Sequence, residues 1–403
     1  MNPIVKCFCR IYQGVFHLAL PLLPYREPEL YSSIEDIKDL LKKLNVRSVL
    51  LVSDTALKEN RKPLEELLRD QGIHYALYDK TCANPTVWNV EEARELYLKE
   101  NCEALIAFGG GSSMDCAKGV GARIAYPNKS LDRLKGLLRV LKKIPPLIAI
   151  PTTAGTGSEV TITAVITDSE KKHKYTMNSF TLIPSHAILD PKVTYSLPPH
   201  LTATTGMDAL THAVEAYIGN STSKQTRRCS LEAVHLIFKN IEKAYTKGDD
   251  YEARKKMLHA SYIAGIAFSK SYVGYIHAIA HSLGGQYNIP HGLANAVLMP
   301  YVLKDYGISA HKKLHELGIA AGVASENDSH EQGANKFIMA IENLNQKMNI
   351  PTKFEGILEE DIPVMARYAS KEANPLYPVP KLMNAKELEK FYYMVSIGGK
   401  NEH

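Results

Sequence analysis

From Val46 onward the chain alternates two textures. Short apolar runs rich in β-branched residues are followed by longer segments whose apolar positions recur every three or four residues. "VRSVLLVSD" (46–54) reads as a strand ending in an acid, and "NRKPLEELLRDQG" (60–72) as a helix stopped by glycine. "HYALYDK" (74–80) is the next strand and "TVWNVEEARELYLKEN" (86–101) the next helix. "EALIAFGGG" (103–111) is a buried strand running into glycines, and "PLIAIPTT" (146–153) repeats that form. This rhythm predicts a parallel sheet with helices on both faces.

"EVTITAVITD" (159–168), "KYTMNSFTLI" (174–183) and "HAILDP" (186–191) are strand-like and close the first region. After "SLPPH" (196–200) helical patterning takes over, from "TATTGMDALTHAVEAYI" (202–218) to the C-terminus. The pattern therefore predicts an α/β, Rossmann-like domain over 1–198 and an all-α domain over 199–403.

Composition narrows the classes. The 403 residues are 45% hydrophobic, enough for two sizeable cores, and the formal net charge is +5. That near-balance argues against a dedicated nucleic-acid binder. The basic runs "RVLKK" (139–143) and "KKHK" (171–174) are short and read as solvated faces. Six cysteines, with no CxxC and no zinc-ribbon spacing, do not make a disulfide scaffold. A reducing, cytoplasmic setting is the expectation. "GVFHLALPLLP" (14–24) resembles a signal-peptide core, but His17 and two prolines interrupt it and no small-x-small site follows. No apolar run reaches the roughly 18–20 residues needed to span a bilayer.

Two glycine-rich turns carry candidate chemistry. "FGGGSSMDCAK" (108–118) joins a strand to a helix through Gly109, Gly110 and Gly111, with Ser112 and Ser113 able to cap the helix. Its N-terminal N–H groups and dipole favour a phosphate. "PTTAGTGSEVT" (151–161) is built similarly. Two such turns at the C-terminal edge of one parallel sheet point to a nucleotide site. Neither is GxGxxG, since Met114 and Val160 stand where the third glycine would, and no P-loop is present. Asp54, ending an early strand, is placed to bind ribose hydroxyls and to repel a 2′-phosphate, favouring NAD over NADP.

Histidines carry the second candidate. "GMDALTHAVEAY" (206–217) sets Asp208 and His212 at i, i+4, and "HAIAHSLGGQYNIPHG" (277–292) sets His277 and His281 at the same spacing before His291. One carboxylate and three imidazoles suit Fe²⁺ or Zn²⁺ with room for substrate. Spacing alone does not choose among the four histidines.

These four motifs together resemble the iron-dependent (group III) alcohol dehydrogenase family, from roughly residue 46 to the C-terminus. The resemblance implies metal ligands Asp208, His212, His277 and His291, with Fe²⁺ first and Zn²⁺ second. His281 is then the non-ligand histidine beside the nicotinamide, relaying protons or positioning the ring. Cofactor contacts carry over to Asp54, Asn84, Gly110, Gly111, Ser112, Thr152, Thr153, Thr156 and Lys174. The implied activity is reversible hydride transfer between NAD(H) and a primary alcohol or aldehyde, the metal acting as Lewis acid on the substrate oxygen. A homodimer or larger homo-oligomer is expected, with a small-molecule substrate and neither nucleic acid nor membrane as partner. The family opens with a strand and a glycine-containing turn, whereas "LPYREPELYSSIEDIKDLL" (23–41) has no glycine. The alternative on the same architecture is a dehydroquinate-synthase-like cyclase or lyase. That needs a basic cluster for a phosphorylated substrate, and the C-terminal half has none beside its histidine motifs. A scaffold without catalysis would not need every proposed ligand.

Overall fold

The computed structural model of the protein describes residues 1–19, 24–169 and 173–397. Lys171 and Lys172, and residues 20–23 of the apolar N-terminal run, lie outside them. In chain order come α1 (Pro3–Ala19), β1 (Glu29–Tyr31), α2 (Ile37–Lys43), β2 (Ser48–Val52), α3 (Lys58–Asp70), β3 (His74–Tyr78), α4 (Val87–Lys99), β4 (Ala104–Gly109) and α5 (Gly111–Ala125). Strands β5 (Gly136–Leu137), β6 (Leu147–Pro151), β7 (Thr163–Asp168), β8 (His173–Asn178) and β9 (His186–Ile188) follow.

Six of these strands form one parallel sheet in the order β1-β9-β6-β4-β2-β3. Successive residues of its central strands enter two different cores. Leu50, Val52, Leu105, Ala107, Leu147 and Ala149 join Val90, Ala93, Met114 and Val120 of α4 and α5. Val49, Leu51, Ala104, Ile106, Phe108, Ile148 and Ile150 join Ile37, Leu40, Leu41, Leu64 and Leu68 of α2 and α3. Burial on both faces explains why these strands read as unbroken apolar runs. From β2 the chain steps outward to β3, then returns to β4 on the other side of β2. The switch point, where ligands bind in such sheets, thus lies between β2 and β4.

Strands β7 and β8 stand apart from this sheet. They pair antiparallel, Asp168 opposite His173, in a separate three-stranded sheet with β5. So short a connection cannot make a parallel crossover. At the N-terminus β1 supplies a first strand. Ser33 then caps the following turn in a reciprocal pair with Asp36, so the turn forms without glycine.

Helices α6 (Pro199–Ile218), α7 (Lys224–Thr246), α8 (Tyr251–Ser271), α9 (Tyr275–Tyr287), α10 (His291–Tyr306), α11 (His311–Ala321), α12 (His330–Lys347), α13 (Ile362–Ala373) and α14 (Ala385–Val395) make up the rest. The chain divides into a unit of Pro24–Leu197 with Gly248–Leu258, and a helical unit holding the remainder. Two segments depart from the expected division at 198. Helix α1 belongs with the helical unit, where Arg10 and Gln13 bond to carbonyls between 375 and 380. The start of α8 belongs with the α/β unit, where Arg254 donates to the carbonyls of Gly248 and Leu197.

Candidate active site

The helical unit builds a cluster from three helices. Helix α6 begins on Pro199 and runs without a breaker to Gly219, with Gly206 to Ile218 buried throughout. Asp208, His212 and Glu215 occupy successive turns of one face. Helix α9 starts after Gly274 and carries His277 and His281 one turn apart. Helix α10 starts at His291, after Pro290. Gly292 lets its first turn approach α6. A Cβ there would lie 2.9 Å from the Thr204 carbonyl carbon, and closer still to its oxygen.

Three ligand-type atoms converge. His277 Nε2 lies 3.9 Å from Asp208 Oδ1, and His291 Nε2 lies 3.5 Å from the same oxygen. All three fall within 4.8 Å of one another. Atoms bound at about 2.0–2.2 Å to one tetrahedral ion sit roughly 3.3–3.6 Å apart, so the set fits a divalent cation after a small inward adjustment. His277 Nε2 is buried with no hydrogen-bond partner, a lone pair that a cation would satisfy. Its other nitrogen, Nδ1, donates to Glu215 Oε2 at 2.6 Å. Glu215 also accepts from Gly274 N and Ile276 N at 2.7 and 2.8 Å. Asn295 Nδ2 donates to Asp208 Oδ1 (2.7 Å) and lies 3.1 Å from His291 Nε2, a contact that nitrogen gives up when its one lone pair turns to a cation. Burial, reinforced by His281 and His212 against the pull of Asp208, holds His291 down to about 4. Burial and the other imidazoles hold His277 well below its ordinary value. Both rings are therefore neutral at physiological pH, as ligands must be. Burial raises Glu215 to about 7 despite its N–H donors.

His281 stands at the edge of the cluster. Its ring stacks on His291 at 5.0 Å, and Nδ1 donates to Glu372 Oε1 at 2.7 Å. The Tyr377 hydroxyl donates to the same oxygen at 2.8 Å. Burial works to raise the Glu372 carboxyl, but His281 and Tyr377 outweigh it and hold it low.

The α/β unit presents the glycine turns at the C-terminal edge of β4 and β6. Helix α5 begins after Gly110 with no side-chain cap. The serines do not cap it as expected: Ser112 Oγ instead accepts from the backbone N–H of Asn84, at 3.3 Å. That N-terminus keeps its N–H groups for an anion. Gly111 admits the second turn, since a Cβ there would meet Thr156 Cγ2 at 2.9 Å. Asp115 and Lys118 tie the two turns together. Ser158 Oγ donates to Asp115 Oδ1 at 2.8 Å, and Lys118 Nζ donates to Ser158 Oγ at 2.9 Å and to the Thr163 carbonyl at 2.8 Å. Burial lowers the Lys118 ammonium to about 8, with Asp115 and Glu159 opposing.

Comparison with known proteins decides the family. The iron-containing alcohol dehydrogenase model matches residues 31–191, and the C-terminal model of the Fe-containing alcohol dehydrogenase family matches 202–395. The chain belongs to the iron-containing alcohol dehydrogenase family. It is 36% identical to 1,3-propanediol dehydrogenase of Citrobacter freundii over 90% of this chain and 94% of that protein. It is 35% identical to NAD-dependent methanol dehydrogenase of Bacillus methanolicus over 84% of this chain and 90% of that one. A crystal structure of 1,3-propanediol oxidoreductase superposes with a TM-score of 0.88 at 34% identity, covering 92% of this chain and 99% of that one. The protein is thus a metal-dependent, NAD-linked alcohol dehydrogenase and aldehyde reductase. The family match begins at residue 31, not near 46.

Within this dehydrogenase Asp208, His277 and His291 converge, whereas His212 sits differently. Its ring lies between Phe268 (4.1 Å) and His277 (4.5 Å), stacked on both, and it is outside the three-atom group. Asp54 follows β2 beside the switch point, and its Oδ1 accepts from Ala56 N at 2.7 Å. Asn84 holds a positive φ of 62° in "NPT". Gly110, Gly111 and Ser112 open α5, and Thr152, Thr153 and Thr156 follow β6. Lys174 is half-buried on β8, its ammonium lowered by burial. Sequence reasoning missed Glu215, Asn295, Glu372, Asp115 and Lys118. A lone acid in the buried run 206–218 was the available signal for Glu215. No helix among the described residues is long and apolar enough to cross a membrane.

Proposed function

We propose that this dehydrogenase interconverts short primary alcohols and their aldehydes, with Fe²⁺, or Zn²⁺ as second choice, held by Asp208, His277 and His291 and by His212 as fourth ligand. The observation that carries the reading is the convergence of Asp208 Oδ1, His277 Nε2 and His291 Nε2. A metal bound there would supply Lewis acidity at the substrate oxygen, and bound NAD⁺ would supply the hydride acceptor. Glu215 fixes the His277 tautomer, keeping Nε2 available. His281 moves the hydroxyl proton. With Nδ1–H given to Glu372, its Nε2 can accept that proton and return it in reduction. Asn84, Gly110, Gly111, Ser112, Thr152, Thr153, Thr156 and Lys174 bind the cofactor, and Asp54 selects NAD over NADP. The relatives named for 1,3-propanediol and methanol support a small substrate. We further read the enzyme as cytoplasmic, in keeping with its thiols, and as a homodimer or larger homo-oligomer, which light scattering would test.

The paired variants His281→Ala and His277→Ala test the assignment. His281→Ala should keep its metal and lose turnover by roughly 10²–10⁴-fold. His277→Ala should lose both. Metal lost from His281→Ala but retained in His277→Ala would reverse the roles.

A further inference from the structure

Helix α1 lies outside both stretches matched by the family models, and it docks by the opposite face from the one its pattern suggests. Its apolar stripe Ile4, Phe8, Ile11, Val15 and Leu18 is 59–78% exposed, while Cys9 and Gln13 are buried. Polar side chains make the attachment. Arg10 Nη1 donates to the Val379 carbonyl and Nη2 to that of Pro380, both at 2.8 Å. Arg10 Nη1 also donates to Gln13 Oε1 at 2.9 Å, which orients that amide. Gln13 Nε2 then donates to the carbonyls of Pro375 (3.0 Å) and Tyr377 (2.7 Å).

All four acceptors belong to one strap, 375–380, that follows α13. Three of its six residues are proline, so half of its positions have no N–H to bond within the strap. Within the strap the Val379 N–H serves the Tyr377 carbonyl, and the strap draws its further donors from elsewhere. Asn220, just past α6, supplies two, to Pro378 and Val379. Arg10 and Gln13 supply the rest described above. The strap carries Tyr377, whose hydroxyl donates to Glu372 Oε1, the oxygen that also accepts from His281 Nδ1.

We infer that α1 braces the active site: Arg10 and Gln13 are positioning residues that hold the 375–380 strap so that Tyr377 keeps Glu372 aimed at His281. The inference rests on the proton-transfer role proposed for His281. Neither residue touches the reacting atoms, and both act through Tyr377 and Glu372. The arrangement makes a specific pattern. Loosening the strap should slow the step that His281 serves, while the metal, held by α6, α9 and α10, stays in place.

The test uses the full-length, metal-loaded enzyme and its Arg10→Ala/Gln13→Ala variant. Amide exchange in the peptide covering 374–380 should accelerate. Metal content should match wild type, KM for NADH should change by less than about twofold, and kcat should fall roughly 10–100-fold, as for a misplaced catalytic group. Arg10→Lys, which can keep one of the two carbonyl contacts, should recover part of kcat. In a Tyr377→Phe background the double substitution should cost little more, because the link it acts through is gone. Should the double variant fail to fold, Gln13→Ala alone removes two of the four contacts and should show the same changes, smaller. Unchanged strap exchange overturns the inference, as does faster exchange with wild-type kcat, or a kcat loss that tracks metal loss. His281→Ala measured alongside separates the two readings. Full turnover there refutes the role of His281. Full turnover in Arg10→Ala/Gln13→Ala with a loosened strap, beside an inactive His281→Ala, refutes the brace alone.

Discussion

Replacing Glu215 with glutamine changes almost no volume and removes no proposed metal ligand, yet it should weaken metal binding through its bond to His277. The carboxylate is buried and both oxygens are used. Oε2 accepts from Gly274 N and His277 Nδ1, and Oε1 accepts from Ile276 N. An amide cannot accept at both ends. Its best placement keeps oxygen toward Gly274 and His277 and turns NH₂ toward the Ile276 N–H, so one bond is lost and two donors face each other. That costs about 1–3 kcal/mol of stability. The value should fall at the low end, because burial already disfavours the ionised carboxyl, raising it to about 7, and a neutral amide relieves that part. The bond to His277 also loses its charge assistance, making the ring a poorer donor to metal. Removing such a partner weakens metal affinity roughly 10–100-fold, or about 1.4–2.7 kcal/mol. Competition against a chelator of known affinity, with Zn²⁺ or anaerobic Fe²⁺, measures the loss, and melting of the apo-protein measures the stability cost. Wild-type metal affinity in a folded Glu215→Gln protein would refute the reasoning.

Two further substitutions probe the remaining parts. Asp54→Asn can keep the bond from Ala56 N while removing the charge, so it should narrow the preference for NADH over NADPH by about 1–3 kcal/mol; equal wild-type kcat/KM for both cofactors would remove the role assigned to Asp54. Gly292→Ala forces a methyl group against the Thr204 carbonyl, and should cost about 1–3 kcal/mol in apo-protein melting and displace His291 from Asp208; an unchanged Tm with full metal content would contradict it.

The patterning of apolar residues was sufficient to place β2, β3, β4 and β6 and the helices between them, most clearly where both faces are buried, as in β2, β4 and β6. It did not distinguish β7 and β8 from the parallel strands, since strand periodicity carries no direction. The i, i+4 spacings put each candidate ligand on a definable helix face, but they could not say which rings meet. That depends on Gly292 admitting α10 against α6, a contact between residues 88 positions apart in the sequence. Glu372 lies 91 residues from His281, and no local pattern announces their pairing. Helix α1 shows a further limit of patterning. An apolar stripe argues for docking by that stripe, whereas here carbonyls of a proline-rich strap outbid it by recruiting Arg10 and Gln13.

The central claim is that one metal ion is held where α6, α9 and α10 meet, and that alcohol oxidation depends on it. Elemental analysis of purified wild-type and His291→Ala protein, with NADH oxidation by a short aldehyde followed on the same samples, tests it most directly. The account predicts one Fe²⁺ or Zn²⁺ per wild-type chain, and loss of metal and turnover together in a folded His291→Ala protein. Full metal content in His291→Ala would contradict it.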